Sequence, residues 1–448
     1  MTEAAIRAHA APKPIPRSTL LEGLRWVARF RSGALALTRG LHDRYGPIVQ
    51  NPGGLIRSVS LFGPDANRMV LLDREGVLSA HGSWNLIMGR IFGGGLLLRD
   101  GEDHRQHRKI MQEAFKTPAL TAYCDRMNPE IARGIEEWVG GGERLMAFPA
   151  LKRLTLDLAF RTFVGVELDG EEARRMIRHF EGTVAASMSL VRLPIPGLEF
   201  QAGLEGRSAM ADWFRSLLPA RRADPGSDML SRLCLAESEE GRRYSDDEIV
   251  DHMIFLMMAA HDTTTSTMTS LLYLLAKHPE WQERVRRESL ALGSETVGYE
   301  DLDRLESLTH AVQETLRLYP PLSTIPRMAL RDFDWNGYRI PKGSLVSVYP
   351  IHTHRMPEWW TAPERFDPDR FADGRMEHRR HSHLYLPFGG GAHMCLGLRF
   401  AEMQMRCVIH QLVRRVRWEV PDGYVMPVQE APISKPTDGL PLRLSSVR

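Results

Sequence analysis

From residue 100 to 320, apolar side chains recur every three to four positions, the period of helices with one buried face. One stretch breaks the one-sided pattern: "SDDEIVDHMIFLMMAAHDTTTSTMTSLLYLLAKHPE" is apolar all round through its middle. It opens with Ser245 and Glu248, spaced as a capping box, and closes on Lys277, His278 and Pro279, a stop signal. At ~1.5 Å per residue such a helix spans roughly 48 Å, enough to cross a domain. A bilayer span is a poor reading, because His261, Asp262 and the hydroxyl run from Thr263 to Thr267 lie at its centre. The pattern predicts a helix buried in a soluble core, with threonine hydroxyls competing for carbonyls one turn back. An acid buried beside hydroxyls suits proton handling, while a solvated polar notch is the plainer alternative.

Strand signals are few. "RSVSLF" (57–62), "FDWNGYRIPKGSLVSVY" (333–349) and "GLPLRLSS" near the end of the chain alternate or carry β-branched residues, and Asn336-Gly337 is a hairpin turn signal. Many helices with a minor sheet predict a mainly α (α+β) unit over 21–448. Residues 1–20, polar and proline-rich, read as a flexible tail without the apolar segment of a secretory signal. "LEGLRWVARFRSGALALTR" then reads as a basic amphipathic helix, either a surface helix with one face buried or a peripheral membrane contact.

Composition narrows the classes. The chain has 448 residues, 43% hydrophobic and 25% charged, as in ordinary soluble proteins. Lys and Arg number 58 against 56 Asp and Glu, which argues against a general nucleic-acid binder. The four cysteines, Cys124, Cys234, Cys395 and Cys407, form no CxxC pair, so free thiols and a cytoplasmic, reducing compartment are expected.

Cys395 stands out. "PFGGGAHMCLG" (387–397) places it after a glycine triplet and just before a helical pattern in which Leu398, Ala401, Met405 and Val408 share a face. Unpaired N–H groups at a helix start favour a thiolate, as nucleophile or metal ligand. A hydrolase would need a base and an orienting group, and no signature supplies them. No Gly-Lys-Ser/Thr follows the glycines, so a phosphate loop fails. A zinc site from His378, His381, His383, His393 and Cys395 matches no standard spacing. Three further pieces flank the loop: Glu314 and Arg317 at i,i+3 in "HAVQETLRLYPPL", the segment "APERFDPDRF" (362–371), and His104 with Arg108 one turn apart in "GEDHRQHRKIMQEAF".

In order and spacing these pieces resemble the cytochrome P450 family of heme-thiolate monooxygenases. "FGGGAHMCLG" fits the family's cysteine loop, "AAHDT" its oxygen-binding helix, "ETLR" its Glu-x-x-Arg helix and "PERF" the segment completing an ion-pair triad. The resemblance implies a cytochrome P450-like helical domain holding heme b, with Cys395 as iron ligand and with Phe388 and Gly397 around the sulfur. It implies that His104, Arg108, Arg327 and His393 meet the propionates. Asp262 and Thr263 would relay protons to the oxygen-binding face, and Glu314, Arg317 and Arg365 would form the triad. Ala260 stands where the family usually has glycine, which narrows the oxygen groove. Trp84, Leu86, Ile87, Met188, Ala259, Leu322, Ile325 and Ile433 would line an apolar pocket for a lipophilic substrate such as a fatty acid, terpenoid, steroid or polyketide.

Activity would consume O2, with electrons from a ferredoxin or flavodoxin and its reductase, since no iron–sulfur cysteine set is present. The donor would dock on a basic patch of Lys109, Arg399, Arg406 and the 377–383 run. A monomer without nucleic acid is expected. A heme-thiolate sensor or carrier without turnover, or a peroxide-driven member of the fold, is the alternative. The intact Asp262-Thr263 pair disfavours both.

Overall fold

The computed structural model describes residues 12–447 except 53–55, 167–170, 188, 190 and 239. Helices form most of it, and the long one runs Asp246–Lys277, as its caps predict. Ser245 Oγ accepts from Glu248 N while the Glu248 side chain accepts from Ser245 N, so both orphan donors of the first turn are satisfied. The helix is buried over most of its length and packs against the helices Ala147–Ala159, Glu199–Ala223 and Glu306–Leu318. Back-bonding occurs four times, from Thr263 to Ala259 O, Thr265 to His261 O, Thr267 to Thr263 O and Thr269 to Thr265 O. The helix nevertheless stays continuous. No described helix is long and apolar enough to cross a membrane.

A five-stranded sheet lies to one side, in the order Ile48–Asn51, Ser58–Leu61, Leu345–Val348, Ile325–Ala329, Leu78–Ser79. Only the pairing of Ser58–Leu61 with Leu345–Val348 is parallel. The hairpin Phe333–Trp335/Tyr338–Ile340 turns on Asn336 (φ 50°) and Gly337 (φ 79°), the left-handed pair its sequence signals. The final strand Pro441–Ser446 pairs with both Arg144–Met146 and Val416–Glu419. Cys124 and Cys407 lie buried with their sulfurs 3.7 Å apart, unbridged, consistent with free thiols.

The tail expectation needs correction over its described part. Lys13 N donates to Gly337 O, Ser18 N to Gln50 O, and Gln50 N to Pro16 O. These main-chain bonds pin residues 13–18 along the sheet edge, because an extended proline-containing segment can still offer its remaining N–H and C=O groups to an open strand. Residues 1–11 of that tail lie outside the described residues.

Candidate active site

Cys395 is set by its loop. Gly389 (φ 70°) and Gly391 (φ 65°) take left-handed conformations, and a Cβ on Gly391 would sit 1.9 Å from Leu71 O. Only glycine permits that close approach to the helix Pro64–Leu72. Cys395 N then donates to Phe388 O at 2.9 Å, and Phe388 packs on the main core. Gly397, the N-cap of the helix Leu398–Arg415, sets its N–H beside the Cys395 sulfur, where it favours the thiolate. The structure tempers the thiolate expectation. Cys395 is open to a cleft yet deep in the protein, and the desolvation there pushes its thiol up, with Gly397 and Arg108 only partly offsetting this. A metal cation at the sulfur would complete the shift, since a coordinating thiol loses its proton.

Four basic side chains from three segments converge here. His104 and Arg108 lie one turn apart on the helix Gly101–Gln112. Arg327 comes from the strand Ile325–Ala329, and His393 from the cysteine loop. The rings of His104 and His393 lie 4.0 Å apart between centroids. Burial lowers His104 to about 4, helped by Arg108 and Arg327. It lowers His393 to about 3, helped by His104, Arg327 and Arg108. Arg327, 5% exposed, is pulled down to about 10 by burial, and among the described residues its guanidinium bonds Pro326 O. The nearest acid, Asp100, is occupied by Ser79 Oγ and by the N–H groups of Ala80 and His81. Two guanidinium groups and two imidazoles held neutral, gathered beside a soft sulfur ligand, fit a metal group that carries carboxylates.

Asp262 and Thr263 lie at the midpoint of the long helix. Burial pushes the Asp262 carboxyl up, Lys152 and Lys435 partly offset this, and Glu181 adds to it. The neighbouring His261 is held neutral, down to about 3, chiefly by burial. Its Nε2 contacts Lys152 O at 2.9 Å, which assigns the ring proton to Nε2. The bare Nδ1 then faces Asp262 Oδ1 at 3.3 Å, a contact that favours a protonated carboxyl. Lys152 and Lys435 carried no sequence signal, because only the packing of the strand Lys435–Pro436 and of the helix Ala147–Ala159 on the long helix brings them near.

The pocket candidates separate. Trp84 is buried, and Ile87 and Ala259 are half-buried against the same core. Leu322 pairs with Ile433 in an isolated bridge, and Ile325 packs on the sheet cluster. Leu86 departs from the expectation, being 47% exposed. On the helix Ala80–Phe92 the inward face carries Trp84, Met88 and Ile91, and Leu86 lies roughly 200° round from Trp84. Met188 lies outside the described residues.

The ion-pair expectation also needs correction. Glu314 and Arg317 form a fully buried bidentate pair, with Nε to Oε2 at 2.6 Å and Nη2 to Oε1 at 2.9 Å. The third partner is Arg370, whose Nε donates to Glu314 Oε1 at 3.0 Å and whose Nη1 reaches Glu377 at 2.8 Å. Arg365 is exposed and contributes only its carbonyl, to Arg317 and Arg370. The 3-10 turn Pro368–Phe371 directs the second arginine of "APERFDPDRF" inward. The expected basic patch is likewise thinned. Arg406 bonds Leu302 O at 3.0 Å and lies near Asp303, Lys109 contacts Glu240, and Arg399 remains exposed.

Comparison with known proteins agrees with this geometry. The Cytochrome P450 family model matches residues 12–442. The chain belongs to the cytochrome P450 family. Cytochrome P450 136 of Mycobacterium tuberculosis is 40% identical over 408 residues, covering 90% of this chain and 83% of that one. Taxane 10-beta-hydroxylase of Taxus cuspidata is 30% identical, covering 90% and 82%. The retinoic acid bound structure of cyanobacterial CYP120A1 is 28% identical, with a TM-score of 0.87 over 98% of this chain and 100% of that chain. Membership makes this P450 a heme-thiolate monooxygenase that takes O2, a lipophilic substrate and electrons from a redox partner.

Proposed function

We propose that this P450 inserts one oxygen atom of O2 into an isoprenoid substrate, with heme b ligated by Cys395. The observation that carries the site assignment is the cluster of His104, Arg108, Arg327 and His393 beside the Cys395 sulfur. In it four nitrogen-bearing side chains face one another, and Asp100, 3.8 Å from His393 Nε2, is already occupied by Ser79 Oγ and two backbone N–H groups. These donors would hold two propionates, and the N–H of Gly397 would temper the sulfur. Bound heme supplies the chemistry of O2 activation, which thiolate ligation favours. The chain's own contribution is proton control. The Asp262 carboxyl, raised by burial, would hold a proton beside His261 Nδ1, and the Thr263 hydroxyl, now on Ala259 O, would turn to receive it. Half-buried Ile87, Ala259, Leu322, Ile325 and Ile433 offer the substrate apolar contact.

The isoprenoid class is supported by two relatives whose ligands are named, a taxane hydroxylase and a structure bound to retinoic acid. Electrons would come from a cytoplasmic ferredoxin or flavodoxin. The test is optical titration of the purified holoprotein with diterpenes, retinoids and fatty acids of matched length. The expected result is a substrate-induced shift of the holoprotein's main absorption band, produced by the isoprenoids at lower concentration than by the fatty acids. A preference for fatty acids would overturn the substrate class. Absence of the red-shifted carbon monoxide band in wild-type protein, or its persistence in Cys395→Ala, would overturn the ligand assignment.

A further inference from the structure

The first helix, Leu20–Tyr45, carries two apolar faces, and only one of them is used by the fold. Gly23, Ala34, Thr38 and Leu41 are buried, Trp26 stacks on Phe30 at 4.6 Å, and Trp26 meets Tyr349 edge-on at 5.7 Å. The other face is a stripe of Leu20, Leu21, Leu24 and Val27, exposed at 69, 58, 60 and 83%. Fraying does not account for this exposure. Thr19 and Glu22 form a capping box over the first turn, and Gly23 lies so close to Pro52 that a Cβ would fall 2.7 Å from its carbonyl oxygen. The turns that carry the stripe are therefore capped and held against Pro52, ahead of the non-helical Gly33. Ile56, on the same hairpin as Pro52, is 37% exposed.

Charge around the stripe has one sign. Lys13, Arg17, Arg25 and Arg29 are exposed, and none has an ion-pair partner among the described residues. The nearby acid, Glu22, is occupied by Thr19 N, Tyr45 Oη and Arg44. Large apolar side chains flanked by unpaired cations match the two components of an anionic bilayer surface, acyl chain boundary and headgroup phosphate. An acidic protein would answer the cations but give four exposed aliphatic side chains no role.

We propose that this helix docks the protein reversibly on a bilayer containing anionic lipid, with Leu20, Leu21, Leu24 and Val27 entering the interface and Arg25 and Arg29 at the phosphates. From Leu20 to Val27 the stripe is roughly 10 Å long at ~1.5 Å per residue, which makes it an interfacial contact and not a span. The inference does not depend on the substrate class proposed above.

The experiment is flotation of the full-length holoprotein with vesicles of phosphatidylcholine alone, or with about a third phosphatidylglycerol, at low and high salt. Expected is co-flotation with the anionic vesicles, weakened by salt. Leu24→Glu and Val27→Glu should each lower the partition coefficient at least about tenfold, and Arg25→Glu with Arg29→Glu should do likewise. The carbon monoxide spectrum and Tm report that each variant is folded. Because Val27 is 83% exposed, its variant reads docking even if Leu24→Glu folds poorly. The proposal is overturned if wild type floats with neither vesicle. It is also overturned if only the arginine changes matter, leaving non-specific charge attraction. A dimer in solution that Val27→Glu dissociates, with no vesicle binding, would assign the face to a second copy and overturn it too.

Discussion

Arg370 Nε donates to Glu314 Oε1 at 3.0 Å with both side chains fully buried. The same carboxylate holds Arg317 through its two oxygens and also accepts the N–H of Asp367, so one acid satisfies two guanidinium groups and a loop. Removing one partner leaves a buried charge uncompensated, at ~3–5 kcal/mol. Arg370→Ala should therefore yield little folded holoprotein. Arg365→Ala should stay within ~0.5 kcal/mol of wild type, as a surface substitution that keeps the carbonyl. Thermal unfolding and heme incorporation of the two variants check this. Equal losses in both would show that Arg365 shares the load.

Asp262 and Thr263 separate stability from turnover. The Asp262 carboxyl is raised by burial, so the folded state binds its proton more tightly than the unfolded chain does. Stability from this group thus falls as pH rises from the ordinary carboxylate range through the raised value. Asp262→Asn should be at least as stable as wild type at neutral pH, yet turn over ~10²-fold more slowly if the proton relay is lost. Thr263→Ala should bind substrate normally while product formed per electron drops. Product and NAD(P)H consumption measured together decide. Unchanged coupling in both variants would make the pair a packing feature.

His354 ties acid sensitivity to a specific bond. Its Nε2 accepts the Leu386 N–H at 2.8 Å, which requires a neutral ring at that atom. Burial, then Arg317 and Arg355, hold it down to about 3. A folded value below the unfolded one of about 6.5 means stability present above that pH and lost as pH falls toward about 3. Buried His261 and His352, also lowered to about 3, add to the same slope. Urea midpoints should drop between pH 7 and pH 5, above the range where most carboxylates titrate. His354→Gln, which retains an acceptor, should drop less. Midpoints that coincide at the two pH values would refute the assignment.

Arg399 is exposed beside the cysteine loop, whereas Arg406 is bound to Leu302 O. Charge reversal at Arg399 should slow reduction by an acidic ferredoxin, more so at low ionic strength where steering is unscreened, and leave the heme spectrum unmoved. Stopped-flow reduction under carbon monoxide across a salt series measures it. A flat salt response, with wild-type rates in Arg399→Glu, would place the donor elsewhere. Arg406→Glu should lower stability instead, since that side chain is 11% exposed and hydrogen-bonded.

What the sequence determined by itself was local in its physics. The capping box at Ser245 and the stop at Pro279 bound the long helix because both act within one turn. Asn336-Gly337 specifies its hairpin because positive φ is a property of single residues. The glycines ahead of Cys395 make its loop legible for the same reason. Tertiary structure decided whatever depends on which side of a segment turns inward. "APERFDPDRF" offers two arginines, and only the 3-10 turn at Pro368 sends Arg370, not Arg365, to Glu314. Leu86 and Trp84 lie two residues apart, yet helical rotation exposes one and buries the other. The cationic cluster at Cys395 gathers side chains from residues 104 to 393, and its lowered histidines exist only once desolvation and mutual repulsion act at short range. Lys152 and Lys435 approach Asp262 by the same route, through packing that no local pattern encodes.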